Sequence, residues 1–144
     1  MTGPPYSGHP IGAAAANAVL DIVEEEDLAN TRIVGQHFQK RLREKFAQLP
    51  IVGVVRGVGL MGAIEFVADP EKKTRFAPEL KVGARVSKGA RDRGLIARAM
   101  PHGEILGFAP PLVTTIAEID QIIDIADAAV RQILEELVVD GVTV

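Results

Sequence analysis

Arg98 is the residue whose type and position best suit binding chemistry. It lies inside the apolar segment 95–100, Leu-Ile-Ala-Arg-Ala-Met, whose pattern is typical of a strand. Strand alternation would place Arg98 on the same face as Ile96, which is a candidate core residue. The planar guanidinium suits a carboxylate held by two parallel hydrogen bonds. The sequence therefore predicts a carboxylate clamp at Arg98, with an internal ion pair to Glu65 or Glu104, or an edge side chain reaching water, as the alternatives.

A second candidate site is the segment 7–10, Ser-Gly-His-Pro, which comes directly before an alanine-rich run. The first backbone N–H groups of a helix are unpaired and bind anions, and a Ser or His beside them can assist. The same residues also suit ordinary capping, with Ser7 or His9 as the N-cap and Pro10 in the first turn. The sequence leaves both functions open.

Two further segments carry polar groups but have structural explanations. Arg-Gly-Val-Gly at 56–59 places glycines where the backbone needs a positive φ or a close approach. It lacks the spacing and the strand-to-helix context of a dinucleotide-binding loop. Glu65 alternates to the polar face of a strand, where solvent or a salt bridge is expected. No Ser-His-Asp order, supported carboxylate pair or HExxH motif is present, so the sequence predicts no complete catalytic apparatus.

Composition narrows the class of protein. The 144 residues suffice for one domain with one core, and 16 Lys and Arg against 19 Asp and Glu give a net charge of −3. This charge argues against nucleic acid or an anionic membrane as a partner. The absence of cysteine and the three scattered histidines argue against disulfides and a metal site. With no long apolar stretch and no secretory signal, we expect no membrane span and a cytoplasmic protein.

Hydrophobic patterning predicts the elements that would position these residues. The first predicted helix is apolar on every side, so we expect it to be buried. The acidic run 24–27 fits the first turn of a second helix. The fold class is α+β, a small, mostly antiparallel sheet covered by helices on one face and preceded by a long apolar N-terminal helix. The predicted elements are helices over 11–23 and 28–46, two strands within 51–68 that turn near Gly57–Gly59, a helix over 80–90 stopped at Gly94, strands over 95–100 and 104–108 that turn at His102-Gly103, and a helix capped by Thr115 and Glu118.

The order of four motifs is more specific than any one of them. They are Tyr-Ser-Gly-His-Pro at 6–10 with the alanine-rich helix, Arg-Gly-Val-Gly-Leu-Met-Gly at 56–62, Arg-Gly-Leu-Ile-Ala-Arg at 93–98, and Phe-Ala-Pro-Pro-Leu at 108–112 with Glu118. In this order the chain resembles the C-terminal part of class-III aminotransferases, which are pyridoxal-phosphate enzymes of fold type I. The resemblance extends from about Tyr6 to Leu137. It implies a parent enzyme that transfers an amino group from an amine or ω-amino acid to a keto acid.

The resemblance also implies a domain organisation. Residues 1–26 would be an interface loop and domain-linking helix, and residues 27–144 the C-terminal α/β small domain. A large N-terminal domain outside this sequence would carry the Schiff-base lysine and the aspartate that pairs with the pyridine nitrogen, and the parent would be a homodimer. We therefore expect a fragment that is inactive alone and binds pyridoxal phosphate only as part of the parent. Four lysines fail to match the Schiff-base position: Lys72, Lys73, Lys81 and Lys88.

Three site residues follow from the resemblance. Arg98 matches the arginine that swings to pair with the substrate carboxylate in the amine and ω-amino-acid:pyruvate branch. That branch is favoured because the ornithine and acetylornithine branch carries its keto-acid arginine at the position of Gly107. Ser7 and Gly8 would lie on the phosphate side of the neighbouring subunit's cofactor. Pro5 stands where the family has a phosphate-binding threonine, and proline lacks both the hydroxyl and the N–H.

Two other functions compete with the resemblance. One is a stand-alone α+β module for ligand binding or oligomerisation, which would be stable and monodisperse without a partner. The other is a degenerate, regulatory homologue that pairs with an active subunit, and Pro5 is the feature that indicates it.

Overall fold

The computed structural model describes residues 8–100 and 104–142, so Ser7 and the predicted turn at His102-Gly103 lie outside the described residues. Four helices and four strands make up the fold. They are α1 (Pro10–Ile22), α2 (Leu28–Phe46), β1 (Val52–Val58), β2 (Met61–Phe66), α3 (Val82–Asp92), β3 (Arg98–Ala99), β4 (Ile105–Phe108) and α4 (Ile116–Val139).

The first two helices form one continuous rod. A π-helical turn, Val23–Asp27, joins α1 to α2 without a break. The expectation that the acidic run opens a second helix is wrong, since the first turn of α2 carries no acidic residue. Glutamate has a helix propensity close to that of lysine, and Glu24 and Glu25 are exposed, so nothing forces the backbone to stop there. The residues of α1 are all exposed, which leaves its apolar surface uncovered in this chain.

The sheet is antiparallel, with strand order β1-β2-β4-β3. β1 and β2 turn at Gly59, whose φ is +54°. The strand predicted over 95–100 is reduced to Arg98–Ala99, because Gly94 ends the preceding turn with a φ of +92° and the edge strand pairs with β4 at two positions.

Alternation divides the sheet into two faces. The inner face carries Ile64, Phe66, Leu106 and Phe108, all buried beneath α2 and α3, against which α4 packs. The ring of Phe38 from α2 meets Phe108 edge-on, with 6.1 Å between the centroids. The outer face carries the alternate residues, and no described helix covers it. The predicted α+β fold, with helices on one face of a small antiparallel sheet, is confirmed.

Two polar features fix the last helix. The predicted capping box is confirmed, because the Thr115 N–H donates to Glu118 Oε2 (2.8 Å) and the Glu118 N–H donates to Thr115 Oγ1 (3.3 Å). Further along α4, Asp120 Oδ1 lies 2.9 Å from His37 Nε2 and 2.8 Å from Arg41 Nε on α2. Hydrogen bonds from His37 and then Arg41 hold the pKa of Asp120 below its usual value.

No helix in the described ranges is long and apolar enough to cross a membrane.

Candidate functional site

Four residues lie in register across all four strands of the outer face. Arg56 on β1 pairs with Ala63 on β2, Ala63 pairs with Gly107 on β4, and Gly107 pairs with Arg98 on β3. We call this line the arginine row. Because neighbouring strands are spaced by about 4.8 Å, the two arginine Cα atoms at its ends are about 14 Å apart. The sheet therefore places one guanidinium at each edge, with two of the smallest residues between them.

A cavity of about 660 Å³, which we call the outer-face trough, lies over the arginine row. Its floor is low because Ala63 contributes one methyl group and Gly107 no side chain. Met100 leans over Gly107, and a Cβ at that glycine would lie 2.7 Å from the Met100 Cε. Apart from the two arginines, the side chains that line it are apolar: Val58, Met61, Ala63, Ile96 and Met100.

Arg98 reaches this trough without an internal partner. Its side chain is exposed, and within residues 8–100 and 104–142 it makes no hydrogen bond or ion pair. Both alternative partners are engaged elsewhere, since Glu65 pairs with Arg56 and Glu104 accepts the Gly83 N–H at the start of α3. The internal-pair alternative for Arg98 is therefore wrong. Two of the three expectations for Arg98 remain, a carboxylate clamp beside the apolar cavity and an edge side chain that reaches water.

Ile96 corrects one detail of the sequence prediction. It shares the trough with Arg98, as strand alternation predicted, but it is 87% exposed and is no core residue. Sequence pattern could place the two side chains on one face, but it could not tell that none of the described helices lies over this face of the sheet.

The other end of the arginine row is an ion pair. Arg56 Nη1 donates to Glu65 Oε2 at 2.6 Å, and the side chains are 50% and 29% exposed. The salt-bridged strand position expected for Glu65 is thus confirmed. Sequence analysis did not identify Arg56 as a trough residue. The available signal was the turn at Gly59, because a hairpin closed there puts Arg56 opposite Ala63.

The glycines of segment 56–59 have a packing function. Gln39 on α2 donates from Nε2 to the carbonyls of Gly59 (3.0 Å) and Met61 (2.9 Å), which ties the β1–β2 turn to the helix. A Cβ on Gly35 would lie 2.8 Å from the Gly59 Cα, so helix and turn approach as closely as two glycines allow. This supports the structural turn expected here.

The N-terminal candidate segment is described from Gly8 onward. Gly8 has a φ of +77° and open space around it, while His9 is the N-cap of α1 and accepts the Gly12 N–H on Nδ1 at 3.1 Å. Pro10 is the first residue of the helix. The capping role predicted for His9 and Pro10 is confirmed, and Gly8 does not line the outer-face trough.

No second reactive centre accompanies the trough in the described part of the chain. Residues 8–100 and 104–142 contain no group of three His, Asp or Glu side chains that could hold a metal ion. The four lysines that failed to match a Schiff-base position are all exposed: Lys72, Lys73, Lys81 and Lys88.

Comparison with known proteins adds independent findings. The model of the class-III aminotransferase family matches residues 1–130. Over 137 residues, 94% of this chain, the sequence is 76% identical to an uncharacterized aminotransferase, y4uB, of Sinorhizobium fredii and covers 29% of that protein. It is 50% identical over 137 residues to diaminobutyrate–2-oxoglutarate transaminase of Halomonas elongata, again covering 94% of this chain and 29% of the relative.

Solved structures agree with these relatives. A transaminase from directed evolution by ancestral reconstruction is 61% identical with a TM-score of 0.90, covering 94% of this chain and 30% of that one. A PMP-bound aminotransferase from Vibrio fluvialis is 37% identical with a TM-score of 0.86, covering 94% of this chain and 29% of that one. The chain thus spans less than a third of the length of these proteins.

Proposed function

Because this chain belongs to the class-III aminotransferases, we propose that it is the C-terminal part of a pyridoxal-phosphate enzyme that transfers an amino group from an amine or ω-amino acid to a keto acid. The observation that carries the proposal is Arg98, an exposed guanidinium with no partner among the described residues, at the edge of an apolar trough. The family match and its extent support the same conclusion.

In this proposal Arg98 binds the carboxylate of the keto acid or amino acid. Its planar guanidinium donates two parallel hydrogen bonds, which fix the orientation of the acid as well as its position. The side chain lies on the two-residue edge strand β3, where few contacts restrain it. When the substrate is an uncharged amine, the guanidinium can turn to water instead of staying unpaired in the trough, so one pocket serves both substrates.

The cofactor would be held mainly outside this chain. Pyridoxal phosphate, when bound, supplies an electron sink for the carbon that gains or loses the amino group. Gly8 has a positive φ and open surroundings directly before the N-terminus of α1, and such a position suits a phosphate group. We propose that Ser7 and Gly8 contact the phosphate of a neighbouring subunit's cofactor. The four exposed lysines named above do not match the Schiff-base position, so we assign the Schiff-base lysine to the rest of the parent. The chain alone is therefore expected to be inactive.

The proposal includes the organisation of the parent. Residues 1–26 are assigned to an interface loop and domain-linking helix, and residues 27–144 to the small domain. The fully exposed α1 supports this division, because its apolar surface suits packing against another domain or subunit. A homodimer with a large N-terminal domain, acting in the cytoplasm, is the assembly we propose.

The test of the Arg98 role uses the complete protein that contains this chain. We expect Arg98→Ala to raise the KM for the keto acid by about tenfold or more, because a charge-assisted hydrogen bond is lost, while the KM for an uncharged amine stays near the original value. Arg98→Lys is the matched control, since it keeps the charge without the fork. Equal changes for both substrates would contradict the carboxylate role.

The inactivity of the 144-residue chain is tested separately. We expect no transamination after addition of pyridoxal phosphate, and no cofactor left on a lysine after borohydride reduction and mass spectrometry. Robust transamination by the chain alone would contradict the proposed division of the active site.

A further inference from the structure

We propose that Glu65 determines which keto acids the outer-face trough accepts, by neutralising Arg56 so that the trough prefers a monocarboxylate over a dicarboxylate. This inference rests on the function proposed above and concerns the same site. It assigns a specificity role to a residue pair at the end of the arginine row opposite Arg98.

The first step is the placement of the two arginines. Arg56 and Arg98 both line the outer-face trough and stand at opposite ends of one register row. The floor between them holds the methyl group of Ala63 and the backbone of Gly107, and the flexible end of Met100 lies over Gly107. A ligand whose carboxylate is bound by Arg98 would therefore extend along the row toward Arg56 over Gly107 and Ala63, with the flexible end of Met100 as the side chain that must turn aside.

The two ends of the arginine row differ in charge. Arg98 carries a full positive charge without an anion in the described ranges, whereas Arg56 is 2.6 Å from the carboxylate of Glu65. Two arginines and one glutamate leave the trough with a net charge of about +1, which one carboxylate balances. A second carboxylate arriving at Arg56 would also lie close to Glu65, so attraction and repulsion would nearly cancel.

Removal of the Glu65 charge would free Arg56 to bind an anion. Glutamine at position 65 keeps the size of the side chain and leaves Arg56 without an opposite charge beside it, since a neutral amide oxygen is the only acceptor that remains there. Arg56 is half exposed and sits on an ordered strand, so it would then offer its donors to the distal carboxylate of a short dicarboxylate. The trough would change from one anion-binding end to two.

The experiment compares two five-carbon acceptors that differ by one carboxylate. In the complete protein, kcat/KM is measured for 2-oxoglutarate and for 2-oxopentanoate with a fixed uncharged amine as donor. We expect the original protein to prefer 2-oxopentanoate. Glu65→Gln should raise the ratio of 2-oxoglutarate to 2-oxopentanoate by about tenfold or more, the usual effect of one charge-assisted hydrogen bond.

Two variants separate this mechanism from a general disturbance of the sheet. The double variant Arg56→Gln with Glu65→Gln should return the ratio to near its original value, because the freed guanidinium is gone. Glu135→Gln makes the same chemical change at an exposed position of α4 and should leave the ratio unchanged. Equal unfolding midpoints establish that the variants fold.

The outcomes distinguish the specificity role of Glu65 from the proposed function on which it rests. An original protein that prefers 2-oxoglutarate, an unchanged ratio in Glu65→Gln, or an equal rise in the double variant would overturn the role of Glu65 while leaving transamination intact. Absence of transamination with either acid would overturn the proposed function. In that event, calorimetric binding of the two acids to the same variants still tests whether Glu65 controls dicarboxylate affinity.

Discussion

The two faces of the four-stranded sheet are made from the same strands but differ in burial, packing and charge. On the inner face, Ile64 and Leu106 have no exposed surface and lie beneath α2 and α3. On the outer face, the residues next to them in sequence, Ala63 and Gly107, form the floor of an open trough between two arginines. One face stabilises the fold and the other presents the candidate chemistry.

This difference shows how a small domain can carry a charged site without loss of stability. Burying a guanidinium without a partner is costly, but Arg98 is exposed on the face that no helix of residues 8–100 and 104–142 covers, so its charge stays hydrated. The alternation of a strand moves side chains from one environment to the other within a single residue. Substitutions on the inner face should therefore change stability, and those on the outer face should change binding.

The largest expected effect is on the inner face. Phe38→Ala removes a fully buried ring that packs against Phe108, and we expect a loss of about 3–5 kcal/mol in the free energy of unfolding. Val58→Ala, at an outer-face residue that is 69% exposed, should cost less than about 0.5 kcal/mol. Urea unfolding of the 144-residue chain measures both, and similar losses would contradict the difference between the faces.

The next effect tests whether the outer face needs its arginine at one particular position. Arg98 and Gly107 are register partners, so a guanidinium at residue 107 would emerge one strand away over the same trough. We expect Arg98→Gly to weaken keto-acid use by about tenfold or more, and the addition of Gly107→Arg to recover part of it. The measurement is kcat/KM for the keto acid in the complete protein. A double variant no better than Arg98→Gly would show that the position, and not only the face, is essential.

A pair of glycines gives the sharpest contrast between the faces. A Cβ at Gly62 would lie 2.8 Å from the Phe38 ring and 2.9 Å from the Leu42 Cδ2, deep in the core. We expect Gly62→Ala to cost about 1–3 kcal/mol by overpacking. At Gly107 the obstructing atom is the flexible end of Met100, which can move into the trough, so Gly107→Ala should cost less than about 1 kcal/mol. Equal losses in thermal unfolding would mean that the outer face is packed as rigidly as the core.

The smallest effect concerns pH and lies between the helices. His37 and Arg41 lower the pKa of Asp120 in the folded chain, so the stabilisation is present above the ordinary carboxyl pKa and is lost as the pH falls through the lowered value. Asp120→Asn should therefore lower stability near neutral pH and flatten the decline of stability between about pH 5 and pH 2. Urea midpoints across that range measure the slope. Asp21→Asn, an exposed substitution on α1, is the control and should leave the slope unchanged.

Several elements of the fold were predictable from local patterns. The Thr115–Glu118 capping box fixed the start of α4, and alternation placed Ile96 with Arg98 on one face. The break between the first two helices was predicted wrongly, because a run of like charges looks like an interruption although exposed glutamates fit a helix. The length of β3 was also predicted wrongly, because pairing with β4, and not strand propensity, limits it.

The sequence by itself determined the types of residue available: a positively charged guanidinium in an apolar segment, no cysteine, and a pattern of strands and amphipathic helices. Those properties are local, since they depend on side-chain chemistry and on the periods of strand and helix. Only the tertiary structure decided that Arg98 has no side-chain partner within residues 8–100 and 104–142, that Glu65 pairs with Arg56, and that both arginines share one trough. The physical reason is that strand register joins residues as far apart in sequence as Gly62 and Phe108, which are 46 positions apart. Register is set by the packing of the whole sheet against its helices.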